Sequence, residues 1–472
     1  MPNILAYLML AVWPLVTLVL FLRLPVARAF VITIVAGYLL LPPPPAVFDL
    51  PLLPPVGKER IPVLSAFAVL WFRGRGTFEL LPRSLLARGL LAVFILSPVL
   101  TYITNTEPVF FGKIGLPGMR PFEALALAIQ QAMLALNFLL ARALLTGPNA
   151  PGVESDENGA AGLRLILVAL FVGGLVYSIP MLIEVRLSPQ LNNMIYGYFQ
   201  HYFAQAIRGD GFRPLVFLNH GLWAAFFAMS AFGAAFSLWR LADNKNRTIY
   251  LLLSGYLAGV LVLCKTLGAL LYGIMLVPLI ALLNVLWQIR LAAFVGLLAF
   301  SYPVLKTVNA VPYERMIAEA SKISIDRANS LKFRFDNEEI LFERALRKPL
   351  FGWGTWGRNQ ILDPVTGNFK TVTDGRWIIT LGVFGWIGYI AEFGLLVLPL
   401  FLLWRLGGLP GMRLPRASGV LALMLAINLI DLIPNATLTP LTWVIAGALL
   451  GVAERARENY RVPETDKLRT IL

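Results

Sequence analysis

Residues 207–239, with the sequence IRGDGFRPLVFLNHGLWAAFFAMSAFGAAFSLW, join a polar segment to a long apolar run. If the helix begins at Pro214, the run is long enough to cross a membrane, which takes about 20 apolar residues. Asn219 and His220 then lie inside the helix, about 9 Å beyond its first residue, because an α-helix rises about 1.5 Å per residue. Polar side chains just inside an apolar span are unfavourable there and usually mark a functional site. The stretch therefore predicts a membrane span with a candidate site at its polar edge.

The composition extends this prediction to the whole chain. Of the 472 residues, 58% are hydrophobic and 14% are charged, and the mean hydropathy is +0.73, whereas a soluble protein carries roughly 25% charged residues. Repeated apolar runs predict an all-α, polytopic transmembrane helical bundle, since only helices and closed barrels satisfy their backbone polar groups in lipid. The single cysteine, Cys264, excludes a disulfide within the chain. Residues 1–22 carry no charged side chain, so we expect a retained first span rather than a cleaved signal.

Apolar runs predict about 12–14 spans. They lie near residues 4–22, 27–41, 61–72, 87–105, 120–141, 164–184, 214–239, 248–264, 267–287, 291–308, 377–404, 417–436 and 438–453. The predicted organisation is an N-terminal transmembrane bundle over 1–308, a large helical periplasmic loop over 309–376, C-terminal transmembrane helices over 377–453, and a cytoplasmic tail over 454–472.

Basic residues in the loops predict the orientation of the bundle. They concentrate in alternate connections and in the tail, at Arg23, Arg28, Arg73, Arg75, Arg83, Arg88, Arg142, Arg164, Arg240, Lys245, Arg247, Arg290, Arg405, Arg413, Arg416, Arg455, Arg457 and Arg461. Cytoplasmic loops carry the excess of Lys and Arg, so this set predicts a cytoplasmic C-terminus and a periplasmic N-terminus. Residues 147–162 then form a flexible cytoplasmic linker, and the loops at 185–213 and 309–376 lie outside.

Two patterns predict local structure in the outer loops. In the longer loop, Asp336 and Glu339 have the spacing of a capping box ahead of an apolar stripe, which predicts a helix that begins near Asp336 and ends before Pro349. In the shorter loop, residues 193–207 predict an amphipathic helix at the membrane interface, with His201 in a structural role.

Basic residues on the outer side are not explained by the orientation rule, which draws positive charge inward. Six map to that side or to the outer end of a span: Arg208, Arg213, Lys265, Arg334, Arg358 and Arg376. Fixed cations of this kind suit a phosphate-bearing substrate; the alternative is a surface that faces water or lipid headgroups. Lys265 interrupts apolar sequence, so it is either a phosphate ligand or the tip of a short turn whose ammonium reaches water.

Few titratable side chains in the apolar part are available for chemistry. His220 is a candidate base, although a lone histidine on an apolar helix is more often a structural hydrogen-bonding group. Glu392 and Asp431 lie within apolar runs, where a proton relay and a polar lock between helices are the alternatives. Trp353, in FGWGTWG, either stacks on sugar rings or anchors the chain at the interface. No metal-binding or phosphate-loop motif occurs, so we expect no metal and no cofactor, and no nucleic-acid partner.

The order of these features resembles the superfamily of O-antigen ligases and Wzy-type polymerases, which transfer glycans in bacterial envelopes. The resemblance covers roughly residues 195–400. It rests on the arginine–glycine turn that leads from Arg208 to Asn219 and on the basic interruption at Lys265. It continues with SLKFRFDNEEILFERALRKPLFGWG at 330–354 and TDGRWIITLGVFGWIGYIAEFGLL at 373–396, which are similar to the family's external helix and to the start of its next span.

The resemblance implies transfer of a glycan from an undecaprenyl-diphosphate carrier on the periplasmic face, without a nucleotide sugar or an obligatory metal. By position, Arg208 and Arg213 would hold the diphosphate, and Lys265 stands where the family usually has an arginine. Asp374 stands near the place of a frequent family histidine, so Asp374 and His220 are the two candidate catalytic bases. Further candidates are Arg358 and Arg376 for the diphosphate and Asn219, Arg334 and Trp353 in structural roles.

The sequence-based prediction is a metal-independent glycosyltransferase of the bacterial inner membrane that polymerises repeat units of an O-antigen or exopolysaccharide. Expected partners are the undecaprenyl-diphosphate-linked glycan, an acceptor glycan, the lipid bilayer and polysaccharide-assembly proteins. Cleavage of a glycosyl–diphosphate bond leaves negative charge on the leaving group, so fixed cations lower the barrier. The alternatives are an O-antigen ligase, a flippase or transporter of lipid-linked oligosaccharide coupled through Glu392 and Asp431, and a non-catalytic assembly subunit.

Overall fold

The computed structural model describes residues 1–72, 79–147, 159–208, 211–242 and 244–460. In this part of the chain the secondary structure is almost entirely helical, with two short β-hairpins as the exception. The prediction of an all-α, polytopic fold is confirmed. Arg73, Arg75, Arg461, the rest of the tail and most of the predicted linker at 147–162 lie outside the described residues.

The chain begins with α1 (Ile4–Arg23), α2 (Val26–Leu40), α3 (Ile61–Phe72), α4 (Leu85–Ile103), the hairpin of β1 (Val109–Phe111) and β2 (Ile114–Leu116), α5 (Pro121–Ala141) with the π-helical turn Arg142–Thr146, α6 (Ala160–Leu187), α7 (Leu191–Tyr196), the 3₁₀ turn Phe203–Ala206, and the hairpin of β3 (Ile207–Arg208) and β4 (Gly211–Phe212). It continues with α8 (Gly221–Leu241), α9 (Asn244–Leu263), α10 (Leu267–Leu282), α11 (Val285–Phe300), α12 (Tyr302–Thr307), α13 (Tyr313–Ile323), α14 (Ile325–Leu346), α15 (Arg376–Gly407), α16 (Arg416–Asp431) and α17 (Pro440–Asn459).

Apolar helices make up the bundle. By length and composition, seven helices in the described ranges are able to cross a membrane: α1, α4, α5 with its π-helical turn, α6, α8, α9 and α15. Helices α2, α3, α10 and α11 are shorter apolar helices, and α16 and α17 account for the last two predicted runs. Trp377 and Tyr389 of α15 and Trp443 of α17 are fully buried, so these two helices lie at the centre of the bundle.

The bundle has two ends, named here the site end and the far end. The site end carries the connection between α7 and α8 and the segment between α12 and α15. Asn3 lies there too, because its side chain donates to the carbonyl of Ile195 at 2.9 Å. The far end carries the starts of α2, α4 and α6 and the end of α17, where Arg142 and Glu454 form an ion pair at 2.6 Å.

Helix α8 begins later than predicted, and this moves two polar residues out of the helix. It starts at Gly221 rather than at Pro214, with His220 as its N-cap. The backbone N–H groups of Leu215 and Val216 each donate to the Glu184 carboxylate at 2.8 Å, and Val216 has a φ of 54°. Their hydrogen bonds are satisfied outside a helix, so Asn219 and His220 precede the span instead of lying within it.

Two further predictions of local structure were wrong. Asp336 does not start a helix, because α14 already begins at Ile325 and continues past it; the end of α14 before Pro349 is confirmed. Residues 193–207 do not form one amphipathic helix, because α7 ends at a left-handed Gly197 (φ 85°). His201 therefore lies between α7 and the 3₁₀ turn that follows.

Helix α15 is interrupted at Gly385, which the sequence reading did not predict. There φ is 65° and ψ is −168°, and the backbone N–H of Trp386 donates to the carbonyl of Pro349 at 2.7 Å. A Cβ at Gly385 would lie 2.4 Å from the facing backbone, and a Cβ at Gly352 would lie 2.5 Å from the carbonyl of Val383. Glycine at both positions lets the loop after α14 pair directly with the interrupted helix.

Candidate functional site

The predicted cation cluster forms around the β3–β4 hairpin at the site end. Arg208 is exposed on β3, whereas Arg213, just after β4, is only 5% exposed. The backbone N–H of Arg213 donates to the carbonyl of Ala206 at 2.8 Å, which holds the chain on the hairpin. A Cβ at Gly221 would lie 2.0 Å from Cδ of Arg213, so the arginine stem lies directly across the first residue of α8.

Arg213 has a buried guanidinium with no counter-ion in the described part of the chain. Its Nε has no hydrogen-bond partner, and no carboxylate of the described residues lies within ion-pair distance of it. Burial, and then the positive charges of Arg208 and Arg334, lower the pKa of Arg213 to about 10. A buried cation beside other cations is unfavourable until an anion joins it. The arrangement is that of an anion site.

Lys265 reaches the same hairpin from a distant part of the chain. It occupies the turn between α9 and α10 with a φ of 50°, and its side chain is exposed. Its Nζ donates to the carbonyl of Arg208 at 3.0 Å. Lys265 therefore does lie in a short turn, and its ammonium meets the backbone of the hairpin at Arg208.

Arg334 and Asp374 complete the outer part of the cluster. Arg334, on α14, has its Nε 3.6 Å from Oδ2 of Asp374, and about a third of each side chain is exposed. The charge of Arg334 lowers the pKa values of both Arg213 and His220, so the three residues share one electrostatic environment. Asp374 lies two residues before α15, and its carboxylate is partly open to the surroundings.

His220 uses both ring nitrogens for structure. Its Nδ1 accepts the backbone N–H of Leu222 at 3.0 Å, which caps α8. Nε2 therefore carries the proton and faces Oε1 of Gln205 at 3.1 Å. Burial, followed by the neighbouring His201 and the arginines, lowers the pKa of His220 to about 3. The ring is neutral at physiological pH and has no lone pair left to accept a proton.

Arg358 does not belong to the open cluster. It is 2% exposed and forms an ion pair with Glu123 at 2.9 Å, and its guanidinium also donates to the carbonyls of Pro117, Gly118 and Thr355. A guanidinium with all these partners has no donor left for a diphosphate. The prediction that Arg358 binds the substrate is therefore corrected: this residue joins the loop after α14 to the start of α5.

Arg376 is also committed to a carboxylate. Its Nε and one terminal nitrogen donate to the two oxygens of Glu392 at 2.6 and 2.7 Å, and Glu392 is fully buried. In a straight helix these residues would lie roughly 24 Å apart, so the pair depends on the interruption at Gly385. The prediction that Arg376 binds diphosphate is corrected in the same way, and Glu392 lies in a polar lock.

The remaining predicted residues have structural surroundings. Asp431 accepts hydrogen bonds from Asn435 at 2.9 Å and from Thr437 at 2.6 Å, which agrees with the polar-lock alternative. The indole of Trp353 donates to the carbonyl of Arg344 at 2.7 Å, and the Arg344 guanidinium stacks 3.4 Å from the ring centroid. Trp353 thus holds the loop after α14 against α14 itself.

Sequence reading missed one acidic residue of the site. Glu59 lies in the turn before α3. Burial raises the pKa of its carboxyl, and a hydrogen bond with the side chain of Asn219 is among the contacts that oppose this rise. Oδ1 of Asn219 has no partner. The neighbouring Lys58 donates to the carbonyl of Phe217 at 2.5 Å, which draws this turn under the site. The charged run Lys-Glu-Arg at 58–60 could have indicated this residue. It lies in a proline-rich link, however, and the sequence does not predict which part of the bundle that link approaches.

No protein-family model matches the chain, and no curated protein shows significant similarity to it.

Proposed function

We propose that this protein is a membrane glycosyltransferase that polymerises undecaprenyl-diphosphate-linked oligosaccharide units at the outer face of a bacterial inner membrane. The observation that carries the proposal is the buried guanidinium of Arg213, which has no ion-pair partner among the described residues and lies near Arg208, on the hairpin that Lys265 contacts. A protein that keeps such a charge uncompensated gains most by binding an anion there. The resemblance in motif order over roughly residues 195–400 supplies the identity of that anion, a lipid diphosphate.

The proposed chemistry is a single displacement at the anomeric carbon of the donor. The acceptor hydroxyl gives its proton to the carboxylate of Asp374 while its oxygen bonds to that carbon. The bond from carbon to the diphosphate oxygen breaks, and the diphosphate leaves with the electron pair. Arg213, Arg208 and Lys265 stabilise the negative charge that develops on it, and such fixed donors are worth about 100- to 1,000-fold in rate each.

Asp374 is a better base than His220 in this arrangement. Its carboxylate is partly exposed, with the Arg334 guanidinium 3.6 Å away, so an acceptor hydroxyl can approach it. His220 has its acceptor nitrogen occupied by the backbone of Leu222. Glu59 is the competing base, since it lies by Asn219 under the same loop; loss of turnover in Glu59→Gln but not in Asp374→Asn would transfer the role to it.

The proposed orientation places the site end in the periplasm. The basic residues of alternate loops gather at the far end, and the orientation rule assigns such an end to the cytoplasm. The N-terminus would then be periplasmic and the C-terminus cytoplasmic. Cysteine labelling of single-cysteine variants in intact cells, in a Cys264→Ala background, tests this: a cysteine at position 186 reacts with an impermeant maleimide, and one at position 164 does not.

A transporter of lipid-linked oligosaccharide is the second candidate. Interrupted helices are typical of transporters, and α15 is interrupted at Gly385. Here, however, the backbone at the interruption pairs with the loop after α14, through Trp386 and Pro349 among others. Those backbone groups are satisfied by protein, which leaves them unavailable to a coupling ion.

One experiment separates the two candidates. The purified protein is reconstituted in liposomes with lipid-linked repeat units and no energy source. The transferase produces longer glycans, and a transporter moves unextended substrate across the bilayer. Addition of a lipid A core acceptor in a parallel sample distinguishes a ligase, which joins glycan to that acceptor, from a polymerase, which extends the lipid-linked chain. Absence of any extended or ligated product with correctly inserted protein would remove the proposal.

A further inference from the structure

A long groove runs between α2 and α6 on the outer surface of the bundle. Its void measures about 1750 Å³, including the part open to the surroundings. Arg28 and Arg164 stand at its mouth at the far end, and Tyr177 lines it near the other extremity. The surface between them is apolar, and several of its residues are small, such as Ala36 and Gly173.

The length of the groove suits one leaflet of a bilayer. From Arg164 to Tyr177 the axis of α6 rises roughly 20 Å, and one leaflet contributes about half of a hydrocarbon core that is about 30 Å thick. At Gly173 a Cβ would lie 3.2 to 3.4 Å from side chains of α2 and α8. Glycine at this position therefore lets α6 pack closely against α2 and α8 at the floor of the groove.

The charges at the mouth point to the headgroup. Arg28 and Arg164 are both exposed, and neither side chain forms an ion pair or hydrogen bond in the part of the chain that the structure describes. None of the described residues that line the groove is Asp or Glu. Arg142, at the same end, is by contrast paired with Glu454 at 2.6 Å. Two cations without a counter-ion among the described residues therefore stand where an apolar groove meets the membrane surface.

We propose that this groove binds a phospholipid with an anionic headgroup. Its phosphate lies between Arg28 and Arg164, and one acyl chain lies along the apolar floor. This proposal does not depend on the transferase activity, because the mouth of the groove lies at the end of the bundle opposite to the cation cluster. Each basic residue near an anionic headgroup strengthens binding by about fivefold, so the pair favours an anionic over a zwitterionic lipid by roughly 30-fold.

Lipid competition tests the proposal on the full-length protein. Purified protein in detergent is mixed with equimolar phosphatidylglycerol and phosphatidylcholine, and native mass spectrometry counts the lipid that stays bound. We expect a strong excess of phosphatidylglycerol on the wild type and a loss of that excess, by about 30-fold, in Arg28→Gln/Arg164→Gln. Arg23→Gln is the matched control, because Arg23 is exposed at the same end but lies outside the groove.

Two further arms separate the groove from a generally basic surface. Ala169→Phe fills the groove while keeping both arginines, and we expect it to lower bound phosphatidylglycerol as well. Water-soluble glycerol phosphate, which lacks the acyl chains, should not displace the lipid. The proposal is overturned if the double variant keeps the preference, if Arg23→Gln loses as much, if Ala169→Phe binds normally, or if glycerol phosphate competes as well as the lipid.

Discussion

Replacement of Arg213 by methionine should abolish turnover and at the same time stabilise the protein without substrate. Arg213 is 5% exposed and has no counter-ion among the residues that the structure describes, and burial with its cationic neighbours lowers its pKa from the ordinary value of arginine to about 10. At about 1.4 kcal/mol for each pKa unit, this corresponds to roughly 3 kcal/mol by which the folded state disfavours the charged form. Methionine removes the charge and keeps an unbranched stem across Gly221.

The sign of the effect follows from the direction of the pKa change. A base whose pKa is lower in the folded protein binds its proton more weakly there than in the unfolded chain, so at neutral pH the charge destabilises the fold. We expect the apparent melting temperature of Arg213→Met to rise by a few degrees, and its turnover to fall at least 100-fold. Inorganic pyrophosphate at 100 times its dissociation constant should stabilise the wild type by about 2.7 kcal/mol and the variant hardly at all.

Tryptophan fluorescence during heating, at one scan rate for all samples, measures the melting temperature, and glycan extension in liposomes measures turnover. Arg186→Met is the matched control, because Arg186 is exposed at the end of α6 on the same side of the bundle. It should leave both readouts unchanged. Wild-type turnover in Arg213→Met, or a lower melting temperature together with a full response to pyrophosphate, would refute the anion site.

Three further predictions concern the base, the histidine and the helix interruption. Asp374→Asn should lower turnover by about 100- to 10,000-fold and abolish the low-pH limb of the pH–rate profile, since the carboxylate takes the acceptor proton. The wild type should lose stability as the pH falls from about 6.5 to about 3, because His220 has a folded pKa of about 3 and the unfolded chain takes up the proton first. His220→Asn, which retains a capping side chain, should weaken this loss in acid-unfolding measurements. Gly385→Ala should lower the yield of folded protein, as its Cβ would lie 2.4 Å from backbone; gel filtration of detergent extracts measures this.

Each of these has an outcome that contradicts it. An unchanged pH–rate profile in Asp374→Asn would exclude it as the base. An acid-unfolding curve of His220→Asn identical to that of the wild type would mean that this ring is not the group that titrates. Gly89→Ala is the control for the glycine, because nothing lies within 4 Å of its Cβ position; equal yields of the two alanine variants would show that the interruption at Gly385 tolerates a side chain.

Much of the candidate site could be predicted from the sequence, because its residues break a local pattern. Lys265 lies within an apolar run and Arg213 directly before one, and both positions can be recognised from the sequence alone. The sequence did not predict which side chains would surround them. Arg358 and Arg376 break the same pattern, yet they meet Glu123 and Glu392 at 2.9 and 2.6 Å, and these ion pairs make them structural.

The limits of the helices were predicted less well where tertiary contacts replace helical hydrogen bonds. Residues 214–220 are apolar enough to continue α8, but the Glu184 carboxylate takes the N–H groups of Leu215 and Val216. The interruption of α15 likewise depends on the loop after α14. Carbonyl groups of that loop accept the backbone N–H groups that the interruption leaves without a helical partner. In both cases the deciding group is remote in sequence.

The amino-acid sequence by itself determined the helical class, the order of the apolar helices and the unusual presence of cations at the site end. These properties follow from composition and from charges within single stretches of about 20 residues, which a linear chain displays directly. Only the tertiary structure decided which of those cations lack a counter-ion, that His220 is a cap, and that Glu59 lies below the site. Each of these depends on the distance between side chains on different helices, and burial in the bundle then makes a charge at that distance strongly favourable or unfavourable.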